Sequence, residues 1–270
     1  MYSGTTFRTK SGRMMGVHQK IDRIARRHLQ SRLQEDIYFP SIHDILHFEG
    51  LNGPDGIKRK SPAKDEPWHY IDPANNEDRE VVHMAEAHIN NLATALKAGN
   101  RERAAFEAAW LAHTIVDGLT PAHHYPLEAK LEELRGEGIE TRTTTKDKLV
   151  LPGENRRSQL RNNWEFWGAK GIMTTHLGFE LGVATTIAPT RFDTIDASAE
   201  IKEAREQGFS TMFEIALQRI AEKNLYDEFS RLGWTRRLAR ETKSALIPQI
   251  VSAVIAAWYL AVEESQKGRP

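Results

Sequence analysis

The sequence predicts an all-α fold, and three observations carry that expectation. Six long segments place apolar residues at helical spacing, almost nothing alternates with the period of two that a half-buried strand needs, and the run over 102–119 is rich in alanine, the best helix former. With 270 residues and 40% hydrophobic composition the chain can bury a substantial core. We expect one compact multi-helix domain over 1–270, with 1–15 as a flexible lead.

The elements follow in order. Over 17–33, Ile21, Ile24, Ala25, His28 and Leu29 share one stripe with Arg and Lys elsewhere, the pattern of an amphipathic helix. The segment 50–76 is rich in Gly, Pro and charge and reads as a loop, and 78–97 reads as the second helix. The third, over 102–119, has Asn100 as its cap and a stop at Gly118 and Pro121. A polar stretch over 135–157, with a threonine-rich alternation that suggests a short hairpin, separates it from helices over 158–186, 198–229 and 235–265. The most apolar stretch, 245–262, is interrupted by Pro248, Gln249 and Ser252 and is about as long as the shortest credible membrane span. A buried core helix is the better reading, so no transmembrane segment is expected. The first residues lack the apolar run of a secretory signal, which points to the cytoplasm, or to secretion if a leader precedes them.

Thirty-seven basic residues balance 37 acidic ones, so no overall field draws the chain to nucleic acid or to an anionic membrane. Cysteine is absent, which excludes disulfides and zinc–thiolate sites and leaves His, Asp and Glu as the strong metal ligands. Eleven histidines are therefore the place to look.

On the alanine-rich helix, His113 and Asp117 lie one turn apart on the same face, about 6 Å between Cβ atoms, so imidazole and carboxylate can grip one cation. His123 follows just past Pro121, and His176 and Glu180 repeat the spacing downstream. An Asp on a face that buries Ile115 and Val116 is costly unless paired or metal-bound. A buried His–Asp hydrogen bond is the lesser alternative for His113 and Asp117, and an exposed polar pair weighs evenly with a metal site for His176 and Glu180 taken alone. His18 faces the same side as Asp22 one turn on, and alone indicates nothing. Asp55 lies in the turn sequence Asn52-Gly-Pro-Asp-Gly56, where Asp also serves backbone amides. His69, within Pro67-Trp-His-Tyr-Ile-Asp72, is as well suited to packing as to binding.

Taken in order and spacing, His18, Asp55, His69, His113, Asp117, His123, His176 and Glu180 resemble the ligand pattern of the zinc-dependent phospholipase C and single-strand-specific nuclease superfamily, over about residues 16–182; Pro121 also matches. The resemblance implies an all-helical domain holding a cluster of two or three zinc ions in a cleft and hydrolysing phosphoric esters of lipids or nucleic acids. Carried over, Asp55, His69, His113 and Asp117 would hold one ion, and His123, His176 and Glu180 a second. Asp117 and His18 would reach a third, and Asp55 would orient or deprotonate the attacking water. Zinc lowers the pKa of bound water to about 7 and clamps phosphoryl oxygens, so no protein nucleophile is required. Ligating histidines need acceptors on their other ring nitrogen, for which Asp72, Asp44 and Glu165 are candidates by proximity in sequence.

The chain departs from the pattern at its start, where the family uses the amino group and carbonyl of an N-terminal Trp and no Trp precedes His18. The third ion could then draw on His43, His47 or Asp36, or be lost. Substrate stays open: Trp68, Tyr70, Trp164, Phe166 and Trp167 with Arg156, Arg157 and Arg161 would serve a nuclease as stacking platforms and charge, while no apolar rim for acyl chains is obvious. No obligate protein partner is implied. Three other readings compete: a His43-Asp44 doublet of another helical metallophosphohydrolase type, a catalytically inactive helical scaffold, and a purely structural zinc.

Overall fold

A computed structural model describes residues 1–2, 16–61 and 70–267. The fold is all-α, with no strand among the described residues. Its helices are α1 (Val17–Gln30), α2 (Ile42–His47), α3 (Pro54–Lys60), α4 (Glu80–Lys97), α5 (Arg101–Gly118), α6 (Leu127–Arg135) and α7 (Arg156–Trp167). Then come α8 (Ile172–Ile187), α9 (Ser198–Gln207), α10 (Phe209–Ala221), α11 (Leu225–Leu232), α12 (Arg236–Glu241) and α13 (Ile247–Gln266).

The helices predicted over 17–33, 78–97 and 102–119 appear within a few residues of those bounds, whereas the three long downstream ones are broken. The 158–186 segment splits into α7 and α8 because the chain reverses tightly there. A Cβ at Gly168 would overlap the Trp164 carbonyl, and one at Gly171 the Phe166 carbonyl. The 198–229 segment becomes α9, α10 and α11, broken where Gly208 and Asn224 take positive φ values of 94° and 51°. A π-helical turn, Thr242–Leu246, joins α12 to α13 just ahead of Pro248. The loop expected over 50–76 contains α3, which starts with Pro54 in its first turn. The hairpin suggested within 135–157 is replaced by two 3-10 turns, Ile139–Thr141 and Thr145–Lys148.

The apolar α13 is the core helix. It packs on α1, α4, α5, α9 and α10, and the fully buried Trp258 donates its indole N–H to the Ala108 carbonyl of α5 at 3.0 Å. The stretch Arg236–Gln266 is long and apolar enough to cross a membrane, yet 72% of its most apolar window is buried within the fold.

Three further features place the site. Asn100 caps α5, its Oδ1 accepting from the Arg103 amide at 3.0 Å, and the helix is buried along almost its whole last three turns. The Lys20 ammonium donates to the carbonyls of Ile187, Ala188 and Thr190, closing the end of α8 and tying it to α1. The first free amide of α1, Val17 N–H, donates to the Tyr2 carbonyl at 2.7 Å, which draws Met1 and Tyr2 into the interior. The flexible lead expected over 1–15 therefore fails at its start, and residues 3–15 lie outside the described set.

Candidate metal centre

Helical pitch turns His113 and Asp117 to one face of α5, with His113 Nε2 3.2 Å from Asp117 Oδ2. Past Gly118 the chain makes a 3-10 turn, Pro121–His124, which swings His123 back until its Nδ1 is 3.9 Å from the same oxygen. From α1, His18 brings Nε2 within 3.2 Å of Asp117 Oδ1 and stacks on His113 with ring centroids 4.0 Å apart. From α3, Asp55 Oδ1 is 3.8 Å from His113 Nε2. On α8, His176 and Glu180 lie one turn apart with Nε2 and Oε1 at 3.0 Å, and His123 Nε2 reaches the same Glu180 oxygen at 3.1 Å.

Seven of the eight expected ligands thus converge; His69 lies outside the described residues, although its neighbour Tyr70 stacks on His123 at 5.0 Å. Two triads have donor atoms all within 4.8 Å of one another: His18, Asp55 and His113, and His123, His176 and Glu180. Asp117 lies between them. The resemblance puts His18 with Asp117 at a third ion; here His18 is 3.2 Å from Asp117 and also lies within reach of Asp55 and His113. Six of the seven are buried, whereas the Asp55 side chain is 23% exposed, so the cluster meets solvent at Asp55.

Met1 completes the arrangement. Its amino group contacts Asp117 and lies 3.4 Å from Glu180, and its carbonyl oxygen is 2.8 Å from His18 Nε2. Sequence reasoning found no group there because only the burial of Tyr2 against α1 delivers it. The alternatives named for this position are elsewhere: His43, His47 and Asp36 are exposed. Ser41 caps α2 and Asp44 completes its capping box, so the exposed His43-Asp44 doublet is a surface feature and its rival reading falls.

The charges follow from this geometry. Burial alone would raise Asp117, but the Met1 ammonium and the imidazoles of His123, His113 and His18 outweigh it and hold the carboxyl well below its usual range. Glu180 is likewise held well below its usual range, burial being outweighed by the Met1 amino group and His176. Burial lowers His123 to about 3, so its ring is neutral. For Met1, burial would lower the amine, yet Asp117, Glu180 and Asp55 lift it to about 10.

The acceptor behind His113 is Glu49, not the proposed Asp72, Asp44 or Glu165, all of which are exposed. Fully buried, Glu49 takes the His113 Nδ1 contact at 2.9 Å on one oxygen and the Gly50 amide at 3.0 Å on the other. Burial tends to lower His113, but Glu49 and Asp117 raise it well above its usual value. Nothing local in Phe48-Glu49-Gly50 announces this role; it depends on how the turn after α2 packs against α5.

The donor set fits a small cluster of divalent cations. Carboxylate and imidazole are the ligands zinc takes, the buried Asp117 and Glu180 carboxylates face the imidazoles of His18, His113, His123 and His176, and Asp55 is partly exposed. Comparison with known protein families, with curated proteins and with solved structures finds no match.

Proposed function

We propose that the protein is a zinc-dependent hydrolase of phosphoric esters, of the phospholipase C and nuclease type. The observation that carries the reading is the pair of triads flanking Asp117, drawn from four helices and one turn, with Asp55 the most exposed of the described donors. His18, Asp55 and His113 would hold one ion, and His123, His176 and Glu180 another. Asp117, which lies between the triads, would reach a third together with His18. When bound, zinc supplies hydroxide at neutral pH and offsets charge on the phosphoryl oxygens. Glu49 holds His113 with Nε2 facing the cluster. Asp55, the most exposed acid of the set, would take the proton of the incoming water.

The experiment is elemental analysis of protein never exposed to chelator, beside His123→Ala, with hydrolysis of a soluble chromogenic phosphodiester followed in both. Two or more zinc ions per chain, fewer in the variant, with turnover lost, is the expected result. Zinc without turnover would leave a structural metal. Less than about half an ion per chain, with none recovered on adding zinc, would sink the metal reading and leave a helical scaffold.

A further inference from the structure

The outer face of α7 carries an apolar stripe that the fold does not cover. Leu160 and Trp164, one turn apart, are 73% and 72% exposed, and Trp167 continues the stripe a turn later. The segment 149–151 is strapped along it. Trp167 donates its indole N–H to the Leu149 carbonyl at 2.7 Å, and Asn163 exchanges hydrogen bonds with the Leu151 amide and carbonyl at 3.0 and 2.8 Å. These bonds set exposed Leu149 and Val150 beside the stripe, so the patch is built rather than an accident of a loose loop.

Charge rings this surface. Arg156 and Arg157 flank the stripe at the start of α7 and Arg161 lies alongside, all exposed, and from Lys146 to Lys170 six basic residues face three acidic ones in a chain that is neutral overall. An exposed Trp–Leu stripe bordered by arginines is the composition of a helix lying at a bilayer surface, with rings and aliphatic chains among the acyl tails and guanidinium groups at the headgroups.

We propose that this face of α7, with its 149–151 strap, docks on a phospholipid bilayer carrying anionic headgroups. A single-stranded nucleic acid would want stacked rings in a concave basic groove; here the surface is the outside of a helix, and three of its five large apolar side chains are aliphatic. A second copy of the chain would set like charge against like. The surface also leads to the cluster. The Lys148 ammonium donates to the Lys58 carbonyl, the Lys58 ammonium stands 5.5 Å from the Tyr70 ring centroid, and Tyr70 stacks on His123. Past Gly168–Gly171, α8 brings His176 and Glu180. The docking rests on the hydrolase reading only where it selects phospholipid as substrate.

The test is co-sedimentation of the full, zinc-loaded chain with vesicles of phosphatidylcholine alone or with about one quarter phosphatidylserine. Binding should be stronger to the anionic vesicles and fall as salt is raised. Leu160→Ser/Trp164→Ser should partition at least about tenfold more weakly, and Arg157→Glu/Arg161→Glu should lose the preference for phosphatidylserine. All four positions are exposed, and circular dichroism verifies the fold of each variant. Equal partition of wild type and the apolar variant, or none by wild type, overturns the proposal. So does an oligonucleotide or a dimer that depends on Leu160 and Trp164 in place of vesicles. Vesicle binding by His123→Ala, alongside the soluble-diester assay, separates failure of docking from failure of the hydrolase reading.

Discussion

Asp117 shows how one residue can organise a site. Its two oxygens face His18 and the Met1 amino group on one side and His113 and His123 on the other, so each imidazole that reaches it is aimed at the same small volume. Glu49 does for one ring what Asp117 does for the set. Glu49→Gln keeps the shape but loses the charge, and should weaken zinc binding about 10- to 100-fold, read by competition with a chelating dye, and alter the absorption bands of the cobalt-substituted protein. If affinity and spectrum both stay as in wild type, Glu49 is only packing. Proton linkage gives a second test. Met1 and His113 carry raised values and so hold protons near pH 7, which a metal must displace, whereas His123 is already neutral. Zinc binding should therefore release protons at pH 7 and weaken as pH falls, a result that calorimetry in two buffers of different ionisation enthalpy would contradict by showing no buffer dependence.

At the scale of elements, the helix carrying His113 and Asp117 was legible because its cap, alanine content and proline stop are all local. The breaks between α7 and α8 and within 198–229 were not, because apolar periodicity continues through them; only the structure shows the close backbone approach at Gly168 and Gly171 and the positive φ of Gly208 and Asn224. Gly56 is such a position beside the site: a Cβ there would overlap the Leu51 carbonyl. Gly56→Ala should cost about 1–3 kcal/mol in urea unfolding and lower zinc content through displacement of Asp55. An unchanged midpoint and full zinc would show that α3 yields freely. At the other end of the same scale, Asn100→Ala should cost about 1 kcal/mol by uncapping α5, with zinc content retained because the ligands lie at the far end of that helix.

The whole molecule is arranged around α13, with the cluster held between α1, α3, α5 and α8 on one side of that core. The candidate ligands are separate in the unfolded chain and meet only in the fold, so a bound metal would stabilise the native state by mass action: at a free concentration a hundred times Kd the gain is about 2.7 kcal/mol. Zinc-loaded protein should then melt at least about 5 °C above protein stripped by chelator. Coincident melting curves would mean that the fold neither needs nor feels a metal. By itself the sequence determined the helical class, the long early helices and which side chains are candidate donors, because helix periodicity, caps and spacing act over a few residues. Only the tertiary structure decided that His18 joins Asp55 and His113, that Glu49 backs His113 and that Met1 reaches Asp117. Those pairings join residues far apart in the chain, and packing around α13 and α5, not local spacing, brings them together.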